Sequence, residues 1–196
     1  MKHNKLNLWT TAVHVIDDFI SDDEHLKQLS AESIVDTTIE GQDHKNLTPA
    51  QDSLYKQVSN VVLNYCIENS IDFNNLELND MQKGCLYKYD STMVGNHLYE
   101  PHHDIGEKGF LTAIYYINSD YTEDNWVGGE LTIYKQLTFA DYPENSINIL
   151  PKQNRLIVFP GYMIHRVKPY FGDNPRTSMV IGWAVKDGVQ TPAMII

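Results

Sequence analysis

Tyr99-Glu100-Pro101-His102-His103-Asp104 sets an imidazole and a carboxylate two residues apart. Read as a β-strand, the stretch turns alternate side chains to opposite faces, so His102 and Asp104 share one face and His103 takes the other. One imidazole and one carboxylate on a common face are two of the three ligands of a facial iron site, which keeps positions open for substrate and oxygen. A short His-x-Asp pattern also recurs by chance, and its ordinary reading is a structural or surface histidine. Its weight depends on what the rest of the chain supplies.

His165 is the only histidine after the stretch. It lies in Met163-Ile164-His165-Arg166-Val167, which reads as a strand, and in a rolled sheet distant strands become neighbours. Arg176 follows eleven residues later, across turn material containing Gly172 and Pro175. That turn predicts two strands side by side, with Arg176 near the metal and Ser178 on the same face. An arginine fork with a hydroxyl beside it grips a carboxylate well, against the commoner reading of a surface salt bridge.

Outward from this block, helices come first and strands after. Ala12–Ile20 reads as a strand running into a turn. Ser21 reads as the N-cap of a helix to about Ile34, in a capping box with Glu24. His25 on that helix, and His44 in a polar loop over 36–47, read as solvated. Thr48 caps a second helix with Pro49 in its first turn, and Leu54, Val58, Val61, Val62, Tyr65 and Cys66 form an apolar stripe ending near Asn69. From Leu76 the pattern is of strands, at Cys85–Asp90, Phe110–Asn118, Glu130–Tyr134, Leu156–Pro160, Met163–Val167 and Arg176–Val185. Polar loops fall at 90–98 and 120–127, and an irregular connection at 135–153. Helices followed by about seven or eight strands point to a mainly β protein of the α+β class. A two-sheet jelly roll with the helices covering one sheet avoids the exposed edges of an open sheet. One domain over 1–196 is expected, with a helical part to about 75 and a β core over about 76–186.

The chain has 196 residues, 42% of them hydrophobic, and a formal net charge of −11. That is mass enough for a sizeable core, and the acidity disfavours nucleic acid as a partner or substrate. The two cysteines, Cys66 and Cys85, read as buried thiols rather than a disulfide framework. No signal-like or membrane-length apolar run is present, which predicts a soluble cytoplasmic protein without a membrane partner.

The opening stretch resembles the first metal-ligand motif of prolyl 4-hydroxylases in the Fe(II)/2-oxoglutarate-dependent dioxygenase superfamily. Ala113-Ile114-Tyr115-Tyr116-Ile117-Asn118 followed by Gly128-Gly129-Glu130-Leu131 is similar to the same family. So are Asn154-Arg155-Leu156-Ile157-Val158-Phe159, His165-Arg166-Val167 and Arg176 to Trp183, in order from about Leu86 to Ala184. The resemblance implies a double-stranded β-helix, the cupin-like form of the jelly roll. It implies catalytic iron on His102, Asp104 and His165, with 2-oxoglutarate chelating the metal and Arg176 holding its far carboxylate. Tyr116 and Tyr89 match tyrosines that hydrogen-bond 2-oxoglutarate. Tyr87 competes with Tyr89, because the chain is a few residues longer than the family before His102. Thr112 and Ser178 are lesser contacts, Trp183 a pocket residue, and ascorbate a further ligand the family brings.

The implied reaction divides molecular oxygen between 2-oxoglutarate, which leaves as succinate and carbon dioxide, and an unactivated C–H bond. A prolyl residue of a peptide or protein is the first substrate the resemblance implies. A free amino acid or other small molecule is the alternative. A non-catalytic jelly-roll protein that binds metal or ligand is a further reading, disfavoured by the complete ligand set.

Overall fold

Two helices, α1 (Asp23–Ser33) and α2 (Pro49–Glu68), precede most of the strands in the computed structural model of the chain. The structure describes residues 2–5, 12–33, 47–89, 100–104, 109–122, 124–125, 127–134 and 146–187. His44, the loop over 90–98, residues 135–145 and the side chains of Cys85, Tyr87 and Tyr89 lie outside the described residues.

At α2 the Thr48 hydroxyl accepts from the Gln51 amide at 3.2 Å and the Gln51 side chain accepts from the Thr48 amide at 3.1 Å, with Pro49 in the first turn. This closes a reciprocal capping box. Leu54, Val58 and Val62 are fully buried and Tyr65 nearly so. Each such aliphatic side chain contributes about 1.5–3 kcal/mol relative to exposure. Burial also pushes the Cys66 thiol up to about 11, so it behaves as an apolar residue.

The start of α1 corrects the sequence reading. Its cap is Asp22, not Ser21: the Asp22 carboxylate accepts from the Glu24 and His25 amides at 3.0 and 3.3 Å. A charged acceptor for two unpaired helix amides outcompetes a hydroxyl one residue earlier. His25 is likewise not merely solvated. Its Nε2 donates to the Ala50 carbonyl at 2.9 Å and ties α1 to the first turn of α2.

The strands are β1 (Lys2–Lys5), β2 (His14–Asp17), β3 (Leu76–Tyr89), β4 (Gly109–Asn118), β5 (Leu131–Tyr134), β6 (Ser146–Ile149), β7 (Arg155–Pro160), β8 (His165–Val167) and β9 (Arg176–Val185). They form a six-stranded sheet, β1-β2-β7-β4-β9-β3, and a three-stranded sheet, β6-β5-β8. Every pair is antiparallel. From β4 onward the chain passes between the two sheets, the winding of a double-stranded β-helix. Neither β1 nor β6 was foreseen. In β6, Ile147 and Ile149 alternate inward with the polar Ser146 and Asn148, within the connection over 135–153 that reads as irregular in the sequence.

Register on β4 decides which residues meet the interior. Thr112 lies opposite Phe159 and Gly182, Ile114 opposite Ile157 and Val180, and Tyr116 opposite Arg155 and Ser178. Directly opposed residues share a face. The other face carries Leu111, Ala113 and Tyr115. Tyr115 packs edge-on against Phe19 and donates to Asn154 at 3.0 Å, on the side of the N-terminal helices. Trp183 lies opposite Leu111 and therefore belongs to that helix-side face. The expectation that it lines the pocket is corrected: Trp183 stands seven residues after Arg176 on β9, and an odd separation along a strand turns it to the face opposite Arg176 and Ser178.

Candidate active site

Residues 100–104 form no continuous strand. One isolated bridge pairs His102 with His165, with His102 N to His165 O at 2.8 Å and His165 N to His102 O at 2.7 Å. Pro101 has no amide hydrogen to extend the ladder. Asp104 is held instead by its amide, which donates to the Gly161 carbonyl at 2.9 Å. Gly161 leaves little room beside these groups: a Cβ there would lie 3.0 Å from Thr112 Oγ1, tight enough to push the hydroxyl aside, and 3.6 Å from Asp104 Cβ. Alternation along a strand is thus not what brings His102 and Asp104 together; the bridge to β8 and the turn at Gly161 do so.

His102, Asp104 and His165 each offer a ligand atom, all within 4.8 Å of one another. His102 Nδ1 lies 2.8 Å from the Glu100 carbonyl and His165 Nδ1 lies 2.9 Å from the Met163 carbonyl. A carbonyl only accepts, so both Nδ1 atoms carry protons and both Nε2 atoms are left to ligate. His165 Nε2 stands 3.6 Å from Asp104 Oδ2. Burial holds the His165 imidazole below its ordinary pKa, with Asp104 pulling it back up. The burial effect favours the neutral, ligating form. The set, two imidazoles and one carboxylate from separated segments, fits a divalent iron with open positions.

Thr112, expected as a minor contact of 2-oxoglutarate, stands at the metal end. Its hydroxyl donates to Asp104 Oδ2 at 2.8 Å and fixes the carboxylate's rotation. His103 is half-buried beside these residues. Phe159 packs edge-on against His165, with ring centroids 5.0 Å apart.

The second polar group lies further along β4. Thr112 and Tyr116 are four residues apart, about 13 Å of strand, with the apolar Ile114 between them. Arg176 is 1% exposed and Tyr116 fully buried. The guanidinium sits 5.0 Å from the centroid of the Tyr116 ring, and its Nη1 donates to the Gly129 carbonyl at 3.0 Å. Burial pushes the Tyr116 phenol up, opposed by the charge of Arg176, so the hydroxyl keeps its proton. That hydroxyl makes no hydrogen bond of good geometry to any described residue. A buried donor beside an arginine fits the far carboxylate of a diacid. Ser178 is buried opposite Tyr116. By backbone register Tyr89 lies opposite Arg176 and Tyr87 opposite Ser178.

Arg176 does not reach the interior by the expected route. β8 and β9 are not partners: β8 belongs to the smaller sheet and β9 to the larger. The loop between them crosses the sandwich. Sequence reading also missed the backbone groups that aim these side chains, the carbonyls of Glu100, Met163 and Gly129. Only the paired glycines before Glu130 signalled any of them.

Residues 86–184 match the family model described as the 2OG-Fe(II) oxygenase superfamily. No curated protein matches the chain by sequence. Among solved structures, a Pseudomonas putida prolyl-4-hydroxylase superposes with a TM-score of 0.63 at 19% identity, covering 91% of this chain and 87% of that one. A Trichoplax adhaerens prolyl hydroxylase, solved in complex with a peptide fragment of the hypoxia inducible factor oxygen degradation domain, gives 0.59 at 16% identity, covering 89% and 84%. HygX from Streptomyces hygroscopicus, solved with nickel and 2-oxoglutarate bound, gives 0.56 at 10% identity, covering 90% and 83%. These likenesses establish the double-stranded β-helix. Among the described residues no helix is long and apolar enough to cross a membrane. With the family model spanning β3 to β9 and the ligand set and buried arginine falling inside it, the chain belongs to the 2OG-Fe(II) oxygenase superfamily and is a 2-oxoglutarate-dependent dioxygenase.

Proposed function

We propose that the protein hydroxylates a prolyl residue of a peptide or protein, with iron held by His102, Asp104 and His165. The observation that carries the metal assignment is the convergence of these three side chains with both Nδ1 atoms already engaged. Arg176 and Tyr116 take the far carboxylate of 2-oxoglutarate, with Ser178 and Tyr89 beside them. Thr112 acts through Asp104. What iron and 2-oxoglutarate supply when bound is the oxidising power to hydroxylate an unactivated C–H bond as 2-oxoglutarate becomes succinate and carbon dioxide.

The chain's own part is orientation and exclusion. The Glu100 and Met163 carbonyls hold both imidazoles in the ligating tautomer, and the Thr112 hydroxyl keeps Asp104 from rotating. Ile114, Ile157 and Phe159 keep the space between the two polar groups dry, which strengthens the arginine's hold on a carboxylate.

A prolyl substrate is supported by the prolyl hydroxylases among the similar structures, one of them with a bound peptide. The test is a screen of proline-containing peptides and free amino acids with the iron-loaded protein in labelled dioxygen, read by mass spectrometry. One labelled oxygen on a prolyl ring, matched by succinate formation, is the expected result. Label on free amino acids alone would overturn the peptide assignment.

A further inference from the structure

Arg176 is a long, flexible side chain buried at the start of a strand, and something other than its backbone must aim it. Nη1 is anchored on the Gly129 carbonyl. That carbonyl's position is set by an unusual ledge. Gly128 and Gly129 have φ of +76° and +74°, in the left-handed region that side chains resist. A Cβ on Gly128 would lie 2.2 Å from the Pro169 carbonyl oxygen, and one on Gly129 would lie 2.8 Å from Tyr170 Cδ2. The ledge therefore lies flat on Pro169 and Tyr170. Gly129 N donates to Pro169 O at 2.9 Å and Phe171 N donates to Val127 O at 2.7 Å.

Tyr170 is fully buried under this ledge. Gly172 closes over its other end, where a Cβ would lie 2.2 Å from the Tyr170 hydroxyl oxygen. That hydroxyl accepts from the Asp120 amide at 3.1 Å and donates to the Asn174 carbonyl at 3.0 Å. The Asp120 carboxylate in turn accepts from the Asn174 amide at 2.6 Å and from its side-chain nitrogen at 3.1 Å. Asn174 is two residues before Arg176. The ring thus touches the ledge that carries the arginine's acceptor, and its hydroxyl bolts down the segment that leads into the arginine's backbone. The Gly129 acceptor and the backbone leading into Arg176 are thus both braced by one side chain.

We propose that Tyr170, bolted by Asp120 and Asn174, is a positioning residue for the 2-oxoglutarate end of the site, acting through Gly129 and Arg176. This rests on the reading that Arg176 holds the far carboxylate. A core tyrosine with only a packing role would affect every ligand of the metal alike. A positioning tyrosine affects only a ligand long enough to reach Arg176.

The test is calorimetric titration of the iron-loaded full chain, without oxygen, using 2-oxoglutarate and, separately, pyruvate, a 2-oxo acid lacking the second carboxylate. Tyr170→Phe removes two hydrogen bonds and keeps the ring. About a three- to tenfold weaker affinity for 2-oxoglutarate is expected, with pyruvate unchanged. Asp120→Asn, with one acceptor in place of two, should move the same ratio in the same direction and stands in if the first variant fails to fold. Equal weakening of both ligands, or no change in either, overturns the proposal. Arg176→Gln is run alongside. If it abolishes the preference for 2-oxoglutarate while Tyr170→Phe leaves that preference intact, the positioning role fails and the arginine's role stands. If Arg176→Gln itself keeps the preference, the underlying reading fails.

Discussion

His102 and Asp104 sit half-exposed beside an isolated bridge and a glycine turn, whereas Arg176 and Tyr116 lie buried on paired strands of the larger sheet. At the metal end the aim of each side chain comes from a neighbouring carbonyl or hydroxyl. At the anion end it comes from register and from a ledge of two glycines. The difference follows from what each end must do if, as proposed, one holds iron and the other the far carboxylate of 2-oxoglutarate. The metal end has to admit oxygen and a C–H bond, so it cannot be closed by packing. The anion end holds one fixed charge, and a dry surrounding makes each hydrogen bond to that charge stronger.

His165→Ala is the harshest way to break this picture. It removes the one fully buried ligand, and iron-dependent formation of succinate from 2-oxoglutarate should fall to background. Folding is checked by near-ultraviolet circular dichroism. Undiminished succinate formation would remove His165 from the ligand set. Arg176→Gln comes next. It takes away a buried charge partner, a change worth about 2–5 kcal/mol in comparable sites. The KM for 2-oxoglutarate should rise by about 30-fold or more, with iron affinity retained. A variant that loses iron instead would show that the two ends are not separable.

How much of this was readable depends on distance along the chain. His102, Asp104 and His165, singled out by residue type and order, do converge within 4.8 Å, and Arg176 is buried, while the roles given to them stand as proposals. The reason for the meeting of His102 and Asp104 was not legible. Local alternation predicts a shared face, but the pairing is set by a bridge to β8 and by Gly161, both beyond local periodicity. Trp183 stands an odd number of residues after Arg176 on β9 and so takes the other face, a matter of strand parity that composition and hydrophobicity do not carry. The helices were easier. Their caps and stripes are local, and the error at Ser21 was a choice between adjacent residues able to cap.

Thr112→Val is a smaller perturbation of the metal end. It keeps the shape of the side chain and removes the 2.8 Å donor to Asp104. A partner of a metal ligand is typically worth ten- to a hundredfold in metal affinity, so a loss of about tenfold in iron binding is expected. The KM for 2-oxoglutarate should shift less than in Arg176→Gln. The opposite order would move Thr112 back to the anion end.

The smallest effect on the site is expected from Asp17→Asn, which asks whether every arginine near Tyr116 serves the ligand. Arg155 lies opposite Tyr116 on β7, yet its Nε and Nη2 donate to Asp17 at 2.6 and 3.0 Å, and its Nη1 to the Leu150 carbonyl at 2.8 Å. The hydrogen bond from Arg155 holds the Asp17 carboxyl below its ordinary pKa, against the opposing effect of burial. The stability this pair contributes is therefore present in full above the unfolded carboxyl value of about 3.9. It is lost as the pH falls through the lower folded value. Urea unfolding should find Asp17→Asn about 1–3 kcal/mol less stable at neutral pH, with the gap closing only in acid below pH 4. Affinity for 2-oxoglutarate should stay at the wild-type level, because Arg155 is committed to Asp17 and the Leu150 carbonyl and Arg176 to the interior. A fall in affinity like that of Arg176→Gln would mean that the anion end uses two arginines, one of them aimed by Asp17.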